Sequence, residues 1–186
     1  METTTNTWQI DPTHSAVEFS VKHMMFTTVR GRFRDVTGTI TVDEQNPDRS
    51  NVEVEIAAAS IDTGVADRDA HLRSADFLDV ENHPTITFRS KRVEGAMKKE
   101  GDQYKVVGDL TIRGKKIEVT LGSTYLGTGK DPWGNIKGAA EASAKIDRRE
   151  WGLTWNQALE TGGILVSNDI KIDVQVQAVK AVPVAA

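Results

Sequence analysis

The side chains best equipped for chemistry crowd one stretch, Ser60 to Pro84, where Asp62, Asp67, Arg68, Asp69, Arg73, Asp76 and Asp79 stand with His71 and His83. Carboxylates beside an arginine could act as a general acid–base cluster, and Asp62, Arg68 and Asp69 would form it. The alternative is a structural ion network, because charged groups partly buried where strands end need partners. The residues favour the network. His71 follows Asp67 by four positions, the spacing of a helical pair. The four histidines, His14, His23, His71 and His83, form no His-x-His or His-x-x-x-His pattern, so no metal site is expected. The chain has no cysteine, which excludes disulfides, thiol catalysis and zinc–thiolate sites. Ser15 and Ser60 lack a Gly-x-Ser-x-Gly setting, and no phosphate-binding glycine loop occurs. No catalytic residue, metal ligand or cofactor is therefore assigned.

The elements that must position this stretch alternate with period two. Val17, Phe19 and Val21 share one face of the first strand region, which ends in His23. Met24-Met25-Phe26 follows, either packed in a core or rim or forming a greasy lip where an apolar ligand enters. Further inward sets are Ile40 and Val42, then Ile56 and Ala58, then Ile86 and Phe88. Glu141, Ser143 and Lys145 need water, so Ala140, Ala142, Ala144 and Ile146 point in. Gly31 and Gly38 mark bends or bulges. Ser74 caps a short helix through Ala75-Asp76-Phe77, and Asp147 to Leu153 makes a helical turn. Eight or nine short strands imply an all-β antiparallel barrel or sandwich. The alanine row leaves space along one wall, filled either by a guest or by Trp8, Trp133, Trp151 or Trp155.

A chain of 186 residues suits one domain, expected over residues 7–179 between flexible ends, 1–6 and 180–186. Lys and Arg number 23 against 27 Asp and Glu, a formal charge of −4, and no long basic run occurs, so no nucleic-acid partner is expected. No apolar run reaches membrane-spanning length. The start, Met-Glu-Thr-Thr-Thr-Asn-Thr, has neither basic nor apolar signal regions. A cytoplasmic protein is expected, or a periplasmic one if this is a processed form.

Four segments carry a resemblance. Trp8-Gln-Ile-Asp-Pro-Thr-His14-Ser15 with Phe19-Ser-Val-Lys-His23 opens it. Ser60-Ile-Asp-Thr-Gly64, Arg68-Asp-Ala-His-Leu-Arg-Ser-Ala-Asp-Phe77 and His83-Pro-Thr-Ile-Thr-Phe88 make its centre. Gly108-Asp-Leu-Thr-Ile-Arg-Gly114 and Ile146-Asp-Arg-Arg-Glu-Trp-Gly152 complete it, with Trp151 where phenylalanine is more usual. In this order, from about Trp8 to Val176, they resemble the YceI-like family of polyisoprenoid-binding, lipocalin-like proteins. The resemblance implies an extended eight-stranded antiparallel barrel with one short helical crossing and a helical turn. It also implies non-enzymatic binding, for storage or transport, of a polyprenyl phosphate or an isoprenoid quinone. The inward residues above, Val17 to Ile146, then become the lumen. His23, Asp62, Arg68, Asp69 and Arg113 become candidates for the head group at the mouth. A fatty-acid or fatty-amide binder is the near alternative. A hydrolase or isomerase using Asp62, Arg68 and Asp69, and a lipid-free homodimeric interaction module, are the alternatives of other classes.

Overall fold

The structure, a computed structural model, describes residues 5–182. Eleven strands form one antiparallel sheet: β1 (Thr5–Ile10), β2 (Ala16–His23), β3 (Thr27–Phe33), β4 (Val36–Asp43), β5 (Asn51–Ala57), β6 (Ile61–Asp62), β7 (Thr85–Gly95), β8 (Gln103–Ile112), β9 (Lys115–Lys130), β10 (Ile136–Asp147) and β11 (Val166–Lys180). The one helix among the described residues, α1 (Ala66–Arg73), lies between β6 and β7.

The eleven strands make eight staves, because three staves are broken. Pro12 has no N–H for a ladder, and the Asp11 carboxylate accepts from the Thr13 N–H at 2.9 Å and hydroxyl at 2.6 Å, so β1 and β2 part there. Both still lie along β11, β1 through Trp8 opposite Lys180 and β2 through Val17 opposite Val174. β3 and β4 form the next broken stave, pairing with β2 and β1 respectively. β5 and β6, split by a 3₁₀ turn at Ala58–Ser60, form the third. The ring then runs through β7, β8, β9, β10 and β11 and closes on β1. The fold is thus the all-β, eight-stave lipocalin-like barrel that the resemblance implied. Its back wall is longer than the pattern suggested: β9 has 16 residues and β11 has 15.

One end is closed by packing. The 3₁₀ turn Arg148–Trp151 follows β10, its first residue preceded by Asp147, which accepts from the Arg149 N–H at 3.0 Å. The turn ends at Gly152, whose φ of 76° suits glycine. It drives Trp151 into the core, 2% exposed, against the cluster that includes Ile112, Ile146 and Leu153. The crossing from β6 to β7 lies over the same end.

Three local expectations are corrected. Ser74 does not start a helix; it ends α1, its hydroxyl donating to the His71 carbonyl at 2.6 Å. Register is regular at Gly31 and Gly38, and the irregularities fall at Ser90/Arg92, Ala139/Ala140 and Val166/Ile170. Gly31 instead makes room: a Cβ there would come within 2.3 Å of the Phe19 ring. Paired backbone also exceeds 7–179, since β1 begins at Thr5, β11 runs to Lys180, and the Ala181 N–H donates to the Thr7 carbonyl at 2.8 Å. The rest of the ends expected to be flexible, residues 1–4 and 183–186, lies outside the described residues.

Candidate binding lumen

The inward face of the staves surrounds a cavity of about 290 Å³. Val17, Phe19, Val21, Ile40, Ile56, Ile86, Phe88, Ala140, Ala142 and Ile146 all line it. Ala144 is half-buried between Ala142 and Ile146 but set back from the cavity. Val42 lines the opening rather than the shaft. Ala58 is in neither, because β5 ends at Ala57; it is buried in the 3₁₀ turn with its N–H on the Pro84 carbonyl at 2.9 Å.

The opening is a second space of about 450 Å³, which shares Ile40, Tyr104, Ala140 and Val176 with the shaft. Trp8, Val42, Glu44, Met97, Lys98 and Tyr125 complete much of its rim. Trp8 reaches it because Gly138 has no side chain: a Cβ there would stand 3.3 Å from the indole. The indole nitrogen of Trp8 is buried and finds no hydrogen-bond partner among the described residues. Polar groups inside the shaft are few. Tyr104 and Ser123 face each other across β8 and β9, and burial pushes the Tyr104 phenol up to about 12. Arg148 lies at the closed end.

The five residues expected at the mouth line neither space. They belong to the opposite, closed end, and most of them hold it together. Asp69, 7% exposed, accepts from the Thr63 N–H at 2.8 Å and hydroxyl at 2.6 Å. Arg68 donates to the same hydroxyl at 2.7 Å and to the Thr63 carbonyl at 3.1 Å. Asp62 does not join them; it pairs with Arg34. The Gly64 N–H, then Arg34, hold its carboxyl below the usual carboxylate range. Arg113 donates to the Phe77 carbonyl at 3.0 Å, fastening the crossing to the β8–β9 turn. His23 ends β2 opposite Val166. The expected three-member cluster is therefore two separate knots. His71 pairs with Asp76 at 2.8 Å, not with Asp67, and stands edge-on to Phe77 and Trp155.

Arg148 is not among the residues expected at the site. It is 3% exposed, and its guanidinium donates to the carbonyls of Ser167 at 3.0 Å, Leu153 at 2.6 Å and Trp155 at 2.9 Å. Burial lowers its pKa, with Asp147 opposing the shift. For Met24-Met25-Phe26 the sequence allows either packing or a lip. The structure places these residues at the exposed tip of the β2–β3 hairpin, Phe26 82% exposed, at the closed end and away from the mouth. Among the described residues no group of three or more His, Asp or Glu could hold a metal ion, and no helix is long and apolar enough to cross a membrane.

An eight-stave barrel with an apolar shaft, floored at one end and open at the other, defines a lipocalin-like architecture with a ligand-sized interior. The chain belongs to the YceI-like family: the YceI-like domain matches residues 8–178. A UPF0312 protein of Serratia proteamaculans is 38% identical over 168 residues, covering 90% of this chain and 82% of that one. The YCEI protein of Campylobacter jejuni has a crystal structure that superposes with a TM-score of 0.72 at 28% identity, covering 87% of this chain and 90% of that one. A polyisoprenoid-binding domain from Saccharophagus degradans, implicated in plant cell wall breakdown, shares the fold with a TM-score of 0.64 at 14% identity, covering 94% of this chain and 98% of that one.

Proposed function

We propose that the chain binds one long apolar molecule of the isoprenoid class within the barrel and holds it for storage or transfer without reacting with it. The observation that carries this is the apolar shaft of about 290 Å³ continuous with an open mouth. Interiors of folded proteins normally close-pack. An apolar shaft without a guest either stands partly empty or holds water that its walls cannot hydrogen-bond, and both cost stability. A guest removes that cost. No tryptophan lines the shaft, which weighs against the lipid-free dimer. The separation of Asp62 from Arg68 and Asp69 weighs against the hydrolase or isomerase. The relative described as a polyisoprenoid-binding domain favours an isoprenoid chain over a fatty acid.

The head group is assigned to the open end. Lys98 and Tyr125 on the rim and Tyr104 just inside offer polar groups for oxygen atoms there, which supports this end over the five closed-end candidates. Native mass spectrometry of freshly purified protein, followed by organic extraction, tests the reading. A stoichiometric isoprenoid is expected. A fatty acid would overturn the isoprenoid assignment, and ligand-free protein that does not take up the isoprenoid alcohol solanesol would overturn the whole reading.

A further inference from the structure

The hairpin joining β9 to β10 carries large apolar side chains into water. Trp133 at its tip is 84% exposed, and Leu126 and Ile136 on its arms are 42% and 39% exposed. The tip is a fixed turn. The Asp131 carboxylate accepts from the backbone N–H groups of Trp133 and Asn135, each at 2.9 Å, and from the Asn135 side-chain amide at 2.9 Å. Gly134 supplies the φ of 94° that lets the chain turn back. A rigid turn thus holds an indole where it adds no burial to the fold.

This hairpin is also part of the mouth, through Tyr125, Thr128 and Gly138. Lysines surround it. Lys130 lays its stem against Gly134, and Lys98 stands on the rim beside Lys99. Asp102, the carboxylate of that turn, is occupied by the Lys98 and Lys99 backbone N–H groups. Glu44, Asp48 and Glu100 are exposed carboxylates nearby, and Asp43 lines the opening but is buried. An indole at a fixed tip, aliphatic side chains below it and ammonium groups around it match the layers of a phospholipid surface.

We propose that the β9–β10 hairpin docks on a phospholipid bilayer with the mouth facing it, so that the lumen loads from and unloads into the membrane. The purpose of the docking rests on the lumen reading above; its test does not. Three proteins are sedimented with phosphatidylcholine vesicles, with and without phosphatidylglycerol: the parent, Trp133→Ser, and the double variant Met25→Ser/Phe26→Ser on the exposed hairpin of the other end. The parent should sediment, more strongly with the anionic lipid. Trp133→Ser should lower partition roughly tenfold or more with its unfolding midpoint unchanged, and the double variant should behave as the parent. The proposal is overturned by a parent that stays in solution with both vesicle types, by undiminished binding of Trp133→Ser, or by a loss that follows Met25 and Phe26 instead. Light scattering that shows a parent dimer split by Trp133→Ser would also overturn it, making the hairpin a contact with a second copy. Solanesol uptake is measured in parallel; vesicle binding without it would uphold docking and sink the lumen reading alone.

Discussion

The indole N–H of Trp151 donates to the carbonyl of Leu110 at 3.0 Å across 41 positions of sequence. The contact joins the two late segments that carried the family resemblance, Gly108–Gly114 and Ile146–Gly152, at the floor of the barrel. Replacing Trp151 with Phe removes the donor and part of the ring from a closed site. The loss should be roughly 1–3 kcal/mol, lowering the thermal midpoint by about 2–4 °C per kcal/mol in a chain of this size. The fold should persist. An unchanged midpoint in calorimetry would mean that the hydrogen bond contributes nothing.

Arg148 tests the same floor differently. Its planar fork reaches carbonyls of Leu153, Trp155 and Ser167 at once, whereas a lysine ammonium is a single point on a flexible stem. Arg148→Lys keeps the charge but should strand carbonyls, costing at least about 2 kcal/mol in a urea titration. Wild-type stability in this variant would show that charge alone matters there.

The alternation of apolar and polar residues made the barrel wall legible, because period two states which side chains face in. It does not state which end of a stave is open. The charged crossing Ser60–Pro84 does close one end of the barrel, as a charged crossing where strands end can, but that end is the floor, so its side chains meet no head group at the opening. Ser74 differs for a related reason: its hydroxyl does accept from the Asp76 N–H ahead at 3.3 Å, as a cap would, but it also donates to the His71 carbonyl behind at 2.6 Å, and only turns follow it. Asp62 finds Arg34 from 28 positions away, a pairing that only the β3–β6 ladder creates. Arg148 lies in one of the motifs that carry the resemblance, but two of its carbonyl partners, Leu153 and Trp155, come from an irregular segment with no periodic signal, and the third, Ser167, from the start of β11.

Asp147 makes acid stability testable. Arg149 holds its carboxyl down at about 2, against 3.8 for a free aspartate. A folded-state pKa below the unfolded one stabilises above the unfolded value, and the contribution is lost as pH falls through the folded one. Asp147→Asn keeps an acceptor for the turn and removes the charge. Its urea midpoint should lie below the parent's above about pH 5, and the gap should close between about pH 4 and pH 2. A gap independent of pH would assign the effect to geometry instead of charge.

The lumen itself is tested at Ala142, which faces the cavity between Ser123 on β9 and Val174 on β11. If the shaft were a tight core, a phenylalanine there would have nowhere to go, and overpacking should cost roughly 1–3 kcal/mol whatever the protein carries. If the shaft is kept for a guest, the ring occupies space the guest would use. Ala142→Phe, once delipidated, should then unfold at or slightly above the midpoint of the delipidated parent, because the ring fills part of an otherwise costly void. Its extractable lipid should fall sharply. Both quantities are needed, since lipid loss alone could follow from a damaged fold. A strongly lowered midpoint in the delipidated variant, with no extractable lipid in the parent, would make the shaft a core and remove the basis for the proposed function.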